Sequence, residues 1–302
     1  MSPTPSVVVV GSVNADLVVR TSRLPAPGET VIGGTFHTAC GGKGANQAAA
    51  AARLGARTWL IGLTGDDGSG RQAREDLRGA GVDLTELGIG SSHTGVALIV
   101  VDDRGENLIA VASGANAEVT GDMVARSLRR IEALDAVVVA NLEVSDDAVL
   151  AAAIEARARG WRFVLNPAPA RPLPAPLLAA CDVISPNERE VEALGWPSVD
   201  ALLEQDVGAV VVTSGSAGAD LYRPGRPAHH QEAFPVGAVD TTGAGDSFSA
   251  ALTWAMAEGR SLEDAVRLAA GAGALATTQV GARASLPDRA ELESFVNAGR
   301  RA

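Results

Sequence analysis

Short apolar runs recur along the chain, separated by segments of helical length. Residues 7–10 are four consecutive valines, the pattern of a strand buried on both faces. Runs at 58–63, 136–140, 163–165, 183–185 and 209–213 repeat it. Between them, residues 45–54, 71–79, 120–133, 148–159, 188–194 and 199–204 have the spacing of helices, as do 249–257 and the small-residue stretch 268–276. Strands that alternate with helices in this way predict an α/β fold, a mostly parallel central sheet with helices on both faces.

Two regions break the rhythm. Runs at 17–20 and 30–38 flank Pro25-Ala26-Pro27-Gly28, and runs at 94–102 and 107–113 flank Asp103-Arg104-Gly105-Glu106. Strand, turn, strand predicts hairpins, not βαβ units. The expectation is a single domain over 1–302, with lid strands inserted at about 14–38 and 93–113 that fold as a small β-sheet lid over the main sheet. The alternative is that they are edge strands of that sheet. Gly271-x-Gly273 lies inside a helical pattern, not after a strand, so it is no dinucleotide fingerprint.

Composition narrows the chemistry. A chain of 302 residues is long enough to bury roughly 75% of the surface of its unfolded form without staples. Net charge −11 and 3% aromatics exclude the basic stripe and stacking rings of a nucleic-acid binder. No run approaches the roughly 18–20 apolar residues of a membrane span, and 7–10 is too short for a signal sequence, so a cytoplasmic protein is expected. Cys40 and Cys181 form no CxxC pair, which argues against a disulfide framework and fits a reducing compartment. Of the 25 Lys and Arg residues only Lys43 is a lysine. A compact point charge is not interchangeable with a planar guanidinium, so this position is a candidate site residue.

Lys43 lies in Gly41-Gly42-Lys43-Gly44-Ala45-Asn46-Gln47, at the start of the helix over 45–54. Gly44 stands where a Walker A loop needs Ser or Thr, so the segment reads as a polyol clamp and not a phosphate cradle. Asn14 and Asp16 follow the first strand two residues apart and present an amide and a carboxylate to one side. That pair suits sugar hydroxyls; it also suits a turn with a helix cap. In Asp240-Thr241-Thr242-Gly243-Ala244-Gly245-Asp246 the glycines precede a helix, where N–H groups and the dipole favour a phosphate. Asp246 is either a favourable first-turn residue or a general base beside a transferring phosphoryl group. Asn187 and Glu190 have the spacing of a capping box and, equally, of a pair that orders hydrated Mg²⁺. Glu143 is a lone acid after the run 136–140, and the adjacent His229-His230 make a poor metal chelate.

Together these segments resemble the ribokinase family, within the wider PfkB carbohydrate kinases. The resemblance also covers Pro27-Gly28-Glu29-Thr30, Thr64-Gly65-Asp66-Asp67, Gly114-Ala115-Asn116, Asn166-Pro167-Ala168-Pro169-Ala170 and Pro186-Asn187-Glu188. It implies ATP-dependent phosphorylation of D-ribose at the 5-hydroxyl. Asp246 would be the base, and Gly243, Ala244 and Gly245 the anion hole. Asn14, Asp16, Gly42, Lys43, Asn46 and Glu143 would hold the sugar. Asn187, Thr213, Ser214, Gly215, Ser216, Ala217, Gly218 and Gly245 would touch the nucleotide. Glu190 would organise Mg²⁺ through water. Asp240, Thr242, Ala276, Gln279, Gly281 and Ser285 would hold K⁺ or a similar monovalent cation. The lid strands would pair across a homodimer. Ala270 stands where the family often carries a polar residue, and the few aromatics imply an adenine between aliphatic surfaces. Alternatives are a fructokinase-like or adenosine kinase-like enzyme, or a non-catalytic sugar-binding regulator on the same fold.

Overall fold

The computed structural model describes residues 4–283 and 286–299. The chain opens with β1 (Ser6–Val10), then β2 (Asn14–Arg20), β3 (Thr35–Gly41), α1 (Lys43–Arg53), β4 (Arg57–Thr64) and α2 (Gly68–Gly79). β5 (Leu87–Ile89), β6 (Gly95–Val101) and β7 (Asn107–Ala112) lead through a 3₁₀ turn at Gly114–Glu118 to α3 (Gly121–Arg130). Next come β8 (Val137–Asn141), α4 (Asp146–Ala158), β9 (Arg162–Asn166), α5 (Ala175–Leu178), β10 (Val183–Ile184), α6 (Glu188–Ala193) and α7 (Val199–Leu203). The last third holds β11 (Val210–Thr213), β12 (Ala219–Tyr222), β13 (His229–Gln231), α8 (Ala244–Ala257), α9 (Leu262–Ala276) and α10 (Arg289–Ala298).

Nine strands form one sheet in the order β13-β12-β11-β10-β9-β8-β1-β4-β5, parallel from β11 to β5 and antiparallel at β12 and β13. The valine run of β1 explains itself here. Val7 and Val9 face one core, with Ala48, Leu252 and Ala269 from α1, α8 and α9. Val8 and Val10 face the other, with Leu128, Ala152 and Leu177 from α3, α4 and α5. A strand covered on both faces has no place for polar alternation.

The two interrupting regions form a second sheet of their own, in the order β3-β2-β6-β7, with β2 and β6 parallel and the outer pairs antiparallel. The edge-strand alternative is therefore set aside. β3 begins at Thr35, not at residue 30; the segment between carries Gly33 at φ +101°, outside extended geometry. β5, β12 and β13 are too short or too polar to stand out in the hydrophobic pattern.

Candidate active site

Parallel strands deliver their C-terminal ends to one edge of the sheet, and ligands bind where strand order reverses. Here that point lies at β1, flanked by β4 on one side and β8 on the other. α1 starts against it. A Cβ on Gly44 would fall 2.6 Å from the Gly11 carbonyl carbon, so only glycine lets the helix sit this close. Gly42 is the N-cap, at φ +89°. The Glu143 carboxylate, in the loop after β8, accepts from the Ser12 hydroxyl and from the Lys43 backbone N–H at 3.0 Å.

Asn14 and Asp16 share a face of β2. Asn116 donates to the Asn14 side-chain oxygen at 2.7 Å and accepts from the Val13 N–H at 2.9 Å, which fixes the amide's orientation. Gly41 leaves the space the Asp16 carboxylate occupies, since a Cβ there would lie 2.1 Å from Oδ2. Burial and the charges of Glu143 and Asp246 push Asp16 up to about 6, against the opposing Arg283.

Asp246 lies buried in the first turn of α8, whose N-cap Gly243 takes φ +78° against Ala282. Asn46 donates to Oδ2 at 2.9 Å and Gln47 to Oδ1 at 3.2 Å, so two successive residues of α1 hold both carboxylate oxygens. Burial raises Asp246, against the lowering effects of Lys43 and the two amides. Burial pulls Lys43 down, but Asp246, Glu143 and Glu190 outweigh it and hold the ammonium above its ordinary range. Glu190 is itself raised, chiefly by burial. The Ala244 N–H closes a turn on the Thr241 carbonyl at 3.2 Å; the Gly245 N–H has no acceptor among the described residues.

Two pockets meet at this helix mouth. A small one of about 110 Å³ is lined by Lys43, Asn166, Asn187, Glu190 and Asp246, among others. Its wall includes Ser185, whose buried hydroxyl has no partner. Asn187 and Glu190 also make both bonds of the capping box of α6. The second pocket, of about 510 Å³, shares Thr213, Gly245 and Phe248 with the first, so the two adjoin. Gly215, Ser216 and Gly218 line it; Ser214 and Ala217 instead close the turn through backbone bonds. Ala270 stands in its wall together with Phe234 and Phe248, so the expected all-aliphatic surface is corrected by two aromatic rings. A 3% aromatic content gave no hint that two of five phenylalanines would gather here.

The segments assigned to a monovalent cation lie together. Thr277 O accepts from the N–H groups of Val239 and Asp240, and the Asp240 carboxylate accepts from Thr242 and Gly281, both at 2.9 Å. Burial opposes ionisation, but these bonds hold Asp240 below the usual carboxylate range. Ala276 ends α9 and Gln279 lies in the exposed turn after it. Ser285 lies outside the described residues. Among the described residues, no cluster of three or more His, Cys, Asp or Glu could hold a metal ion, and no helix is long and apolar enough to cross a membrane. His230 bonds Asp220 across β12 and β13, far in the sheet order from β1.

Sequence reasoning missed Gln47 and Asn166 as site residues, although both lie inside quoted motifs; Gln47 donates to Asn166 at 3.1 Å as well as to Asp246. It also missed Arg283, which reaches Asn46 from a loop with no pattern of its own.

The description "pfkB family carbohydrate kinase" belongs to a family model that matches residues 4–289. A ribokinase of Bacillus subtilis is 38% identical over 296 residues, covering 97% of this chain and 99% of that protein. A ribokinase of Haemophilus influenzae is 36% identical, covering 95% and 97%. The structure of Arabidopsis thaliana ribokinase complexed with ribose and ATP superposes with TM-score 0.86 at 34% identity, covering 97% of this chain and 99% of that one.

Proposed function

The chain belongs to the pfkB family of carbohydrate kinases, and from that premise we propose that it transfers the terminal phosphoryl group of ATP to the 5-hydroxyl of D-ribose. One observation carries the reading. A buried carboxylate, Asp246, is held by two amides at the mouth of a helix, where a sugar-side cluster of polar groups meets a cleft sized for a nucleotide.

Asn14, Asp16, Gly42, Lys43, Asn46 and Glu143 bind the pentose. Paired acceptors and donors at fixed angles match hydroxyl groups, which need both. Asp246 accepts the proton of the attacking 5-hydroxyl. Its raised affinity for a proton brings it closer to the strength a base needs near neutral pH. The Gly245 N–H and the positive end of α8 offset the charge that develops on the transferring group, aided by the Gly243 turn. Asn46 and Gln47 keep the carboxylate from rotating away. Lys43, facing Asp246, Glu143 and Glu190, adds a point charge where sugar and phosphate meet.

Adenine and ribose of ATP occupy the larger pocket, between the turn at 213–218 and the rings of Phe234 and Phe248. Mg²⁺ fits the smaller pocket, where Glu190, Asn187 and the unpartnered Ser185 hydroxyl offer oxygen atoms to a hydrated ion. When bound with ATP it neutralises phosphate charge. A monovalent cation such as K⁺ fits the oxygen-only set of Asp240, Thr242, Ala276, Gln279 and Gly281, where a singly charged ion suits carbonyls and one carboxylate. Ser285 belongs to the same expected set.

The second sheet would serve as the lid and as the contact of a homodimer. Phe36 (64% exposed) and Leu98 (55%) share one face, and Ile109 (56%) shares the other with Asp16. Apolar exposure of this kind on both faces of a sheet marks a surface to be covered.

The test is a panel of ribose, fructose and adenosine with ATP and Mg²⁺, with and without K⁺. The expected result is the highest kcat/KM on ribose. A higher value on fructose or adenosine would replace the substrate, and sugar binding without turnover would replace the enzyme with a sugar-binding regulator.

A further inference from the structure

The Arg283 guanidinium joins three separate elements to one loop. Its Nε donates to the Asn46 side-chain oxygen at 3.0 Å, Nη1 pairs with Asp76 of α2, and Nη2 donates to the Gly41 carbonyl, the last residue of β3, at 3.4 Å. The side chain is only 14% exposed. Two residues earlier in the same loop, the Gly281 N–H donates to Asp240.

The consequence for Asn46 follows from its inventory of one acceptor and two N–H donors. Arg283 takes the oxygen, and Asp246 takes one N–H. What remains for a ligand is one N–H and the second lone pair of the oxygen, both in fixed directions. The same guanidinium anchors the end of β3, and therefore the strand paired with Asn14 and Asp16. A planar fork with donors on all three nitrogens can span these partners; an ammonium cannot.

We propose that Arg283 is a positioning residue for the sugar: it orients Asn46 and fixes the β3–α1 junction, so that donor and base meet the pentose together. The inference rests on the ribokinase reading given above. The charged groups around Asp16, a proposed sugar ligand, are Glu143 from the loop after β8, Asp246 from α8 and Arg283 itself.

The experiment titrates ribose into the full-length protein by calorimetry without nucleotide, and ADP separately, from pH 5 to 8. Arg283→Ala is expected to raise the ribose Kd by about 10- to 100-fold, the range for losing a hydrogen bond from a charged group. The ADP Kd should stay within about twofold, as none of the described residues that Arg283 bonds (Asn46, Asp76 and Gly41) lines the larger pocket. Because Arg283 holds Asp16 down, its removal should also move the acid limb of ribose binding to higher pH, an effect that loose packing alone does not produce. Arg283→Lys should not restore binding, and Asp76→Asn should weaken it less than Arg283→Ala. An unchanged ribose Kd and limb in Arg283→Ala would overturn the inference. So would equal weakening of ribose and ADP with a lowered Tm, which would make Arg283 a general support. If the wild type prefers another sugar in the panel, the ribose reading fails and the same titrations are run with that sugar, so the two failures stay distinct.

Discussion

The two sheets of this molecule are built from similar residues and end in opposite states. Val7–Val10 of β1 and all of β8 are buried, because helices cover both faces of the large sheet. β7 reads Asn-Leu-Ile-Ala-Val-Ala, and all six residues are exposed. An antiparallel sheet with one wet face normally alternates apolar with polar positions. The small sheet does not. Leu98 and Leu108 lie on one face, and Val18, Ile99, Ile109 and Val111 on the other. Hydrophobic pattern therefore reports that a surface is to be covered, but not by what. In the large sheet the chain supplies its own cover; in the small one α2 contacts β2 and β3, and the proposed cover for the rest is a second copy and bound sugar. Function divides in the same way: Asp246 and its amides rest on the self-sufficient layer, while Asn14 and Asp16 rest on the incomplete one.

The contrast is sharpest in stability. Phe163→Ala, in the core below the large sheet, should cost about 3–5 kcal/mol, read as the shift in urea midpoint at unchanged m. A loss below 1 kcal/mol would mean that the site does not stand on a rigid base. pH probes the small sheet. On the proposed reading ribose meets an ionised Asp16, whose carboxyl is pushed up to about 6, so affinity should fall about tenfold per pH unit below that value and level off above it. Calorimetry from pH 8 to 5 reads this directly, and a flat profile to pH 5 would remove Asp16 from sugar binding. Lys43→Arg should raise KM for ribose several-fold, because a fork does not fit where a point donor sits between Asp246 and Glu190. An unchanged KM would make the lone lysine incidental. Leu98→Ala should cost the least in monomer stability, under about 0.5 kcal/mol for an exposed position, while shifting sedimentation toward the monomer. A dimer untouched by this change, or a monomeric wild type, would leave the exposed faces to another partner.

Much of this was legible in the sequence, for definite reasons. The β-branched valine run of residues 7–10, followed by alternating strand and helix segments, predicts a buried strand of a parallel sheet. Glycines at 42 and 44 mark the close approach of α1 to the segment after β1, and Gly243 that of the α8 N-terminus to Ala282. Two helices 200 residues apart in the chain then place Asn46 against Asp246, and no spacing rule contains that distance. Gln47, Asn166 and Arg283 act only through this juxtaposition, so they stay silent in sequence. The capping box of Asn187 and Glu190 shows the reverse: one motif meets a helix-capping need and a site position together, and the pattern cannot separate them. Short β12 and β13 carry too few residues to register any period at all.

The most direct test of the account is Asp246→Asn, an isosteric change that keeps the buried shape and removes the base. With ribose and ADP dissociation constants and Tm measured beside it, kcat for phosphoryl transfer should fall by roughly 10²–10⁴ while both ligands still bind. Turnover within a few-fold of wild type, at saturating ribose and ATP, would contradict the assignment of proton transfer to this carboxylate.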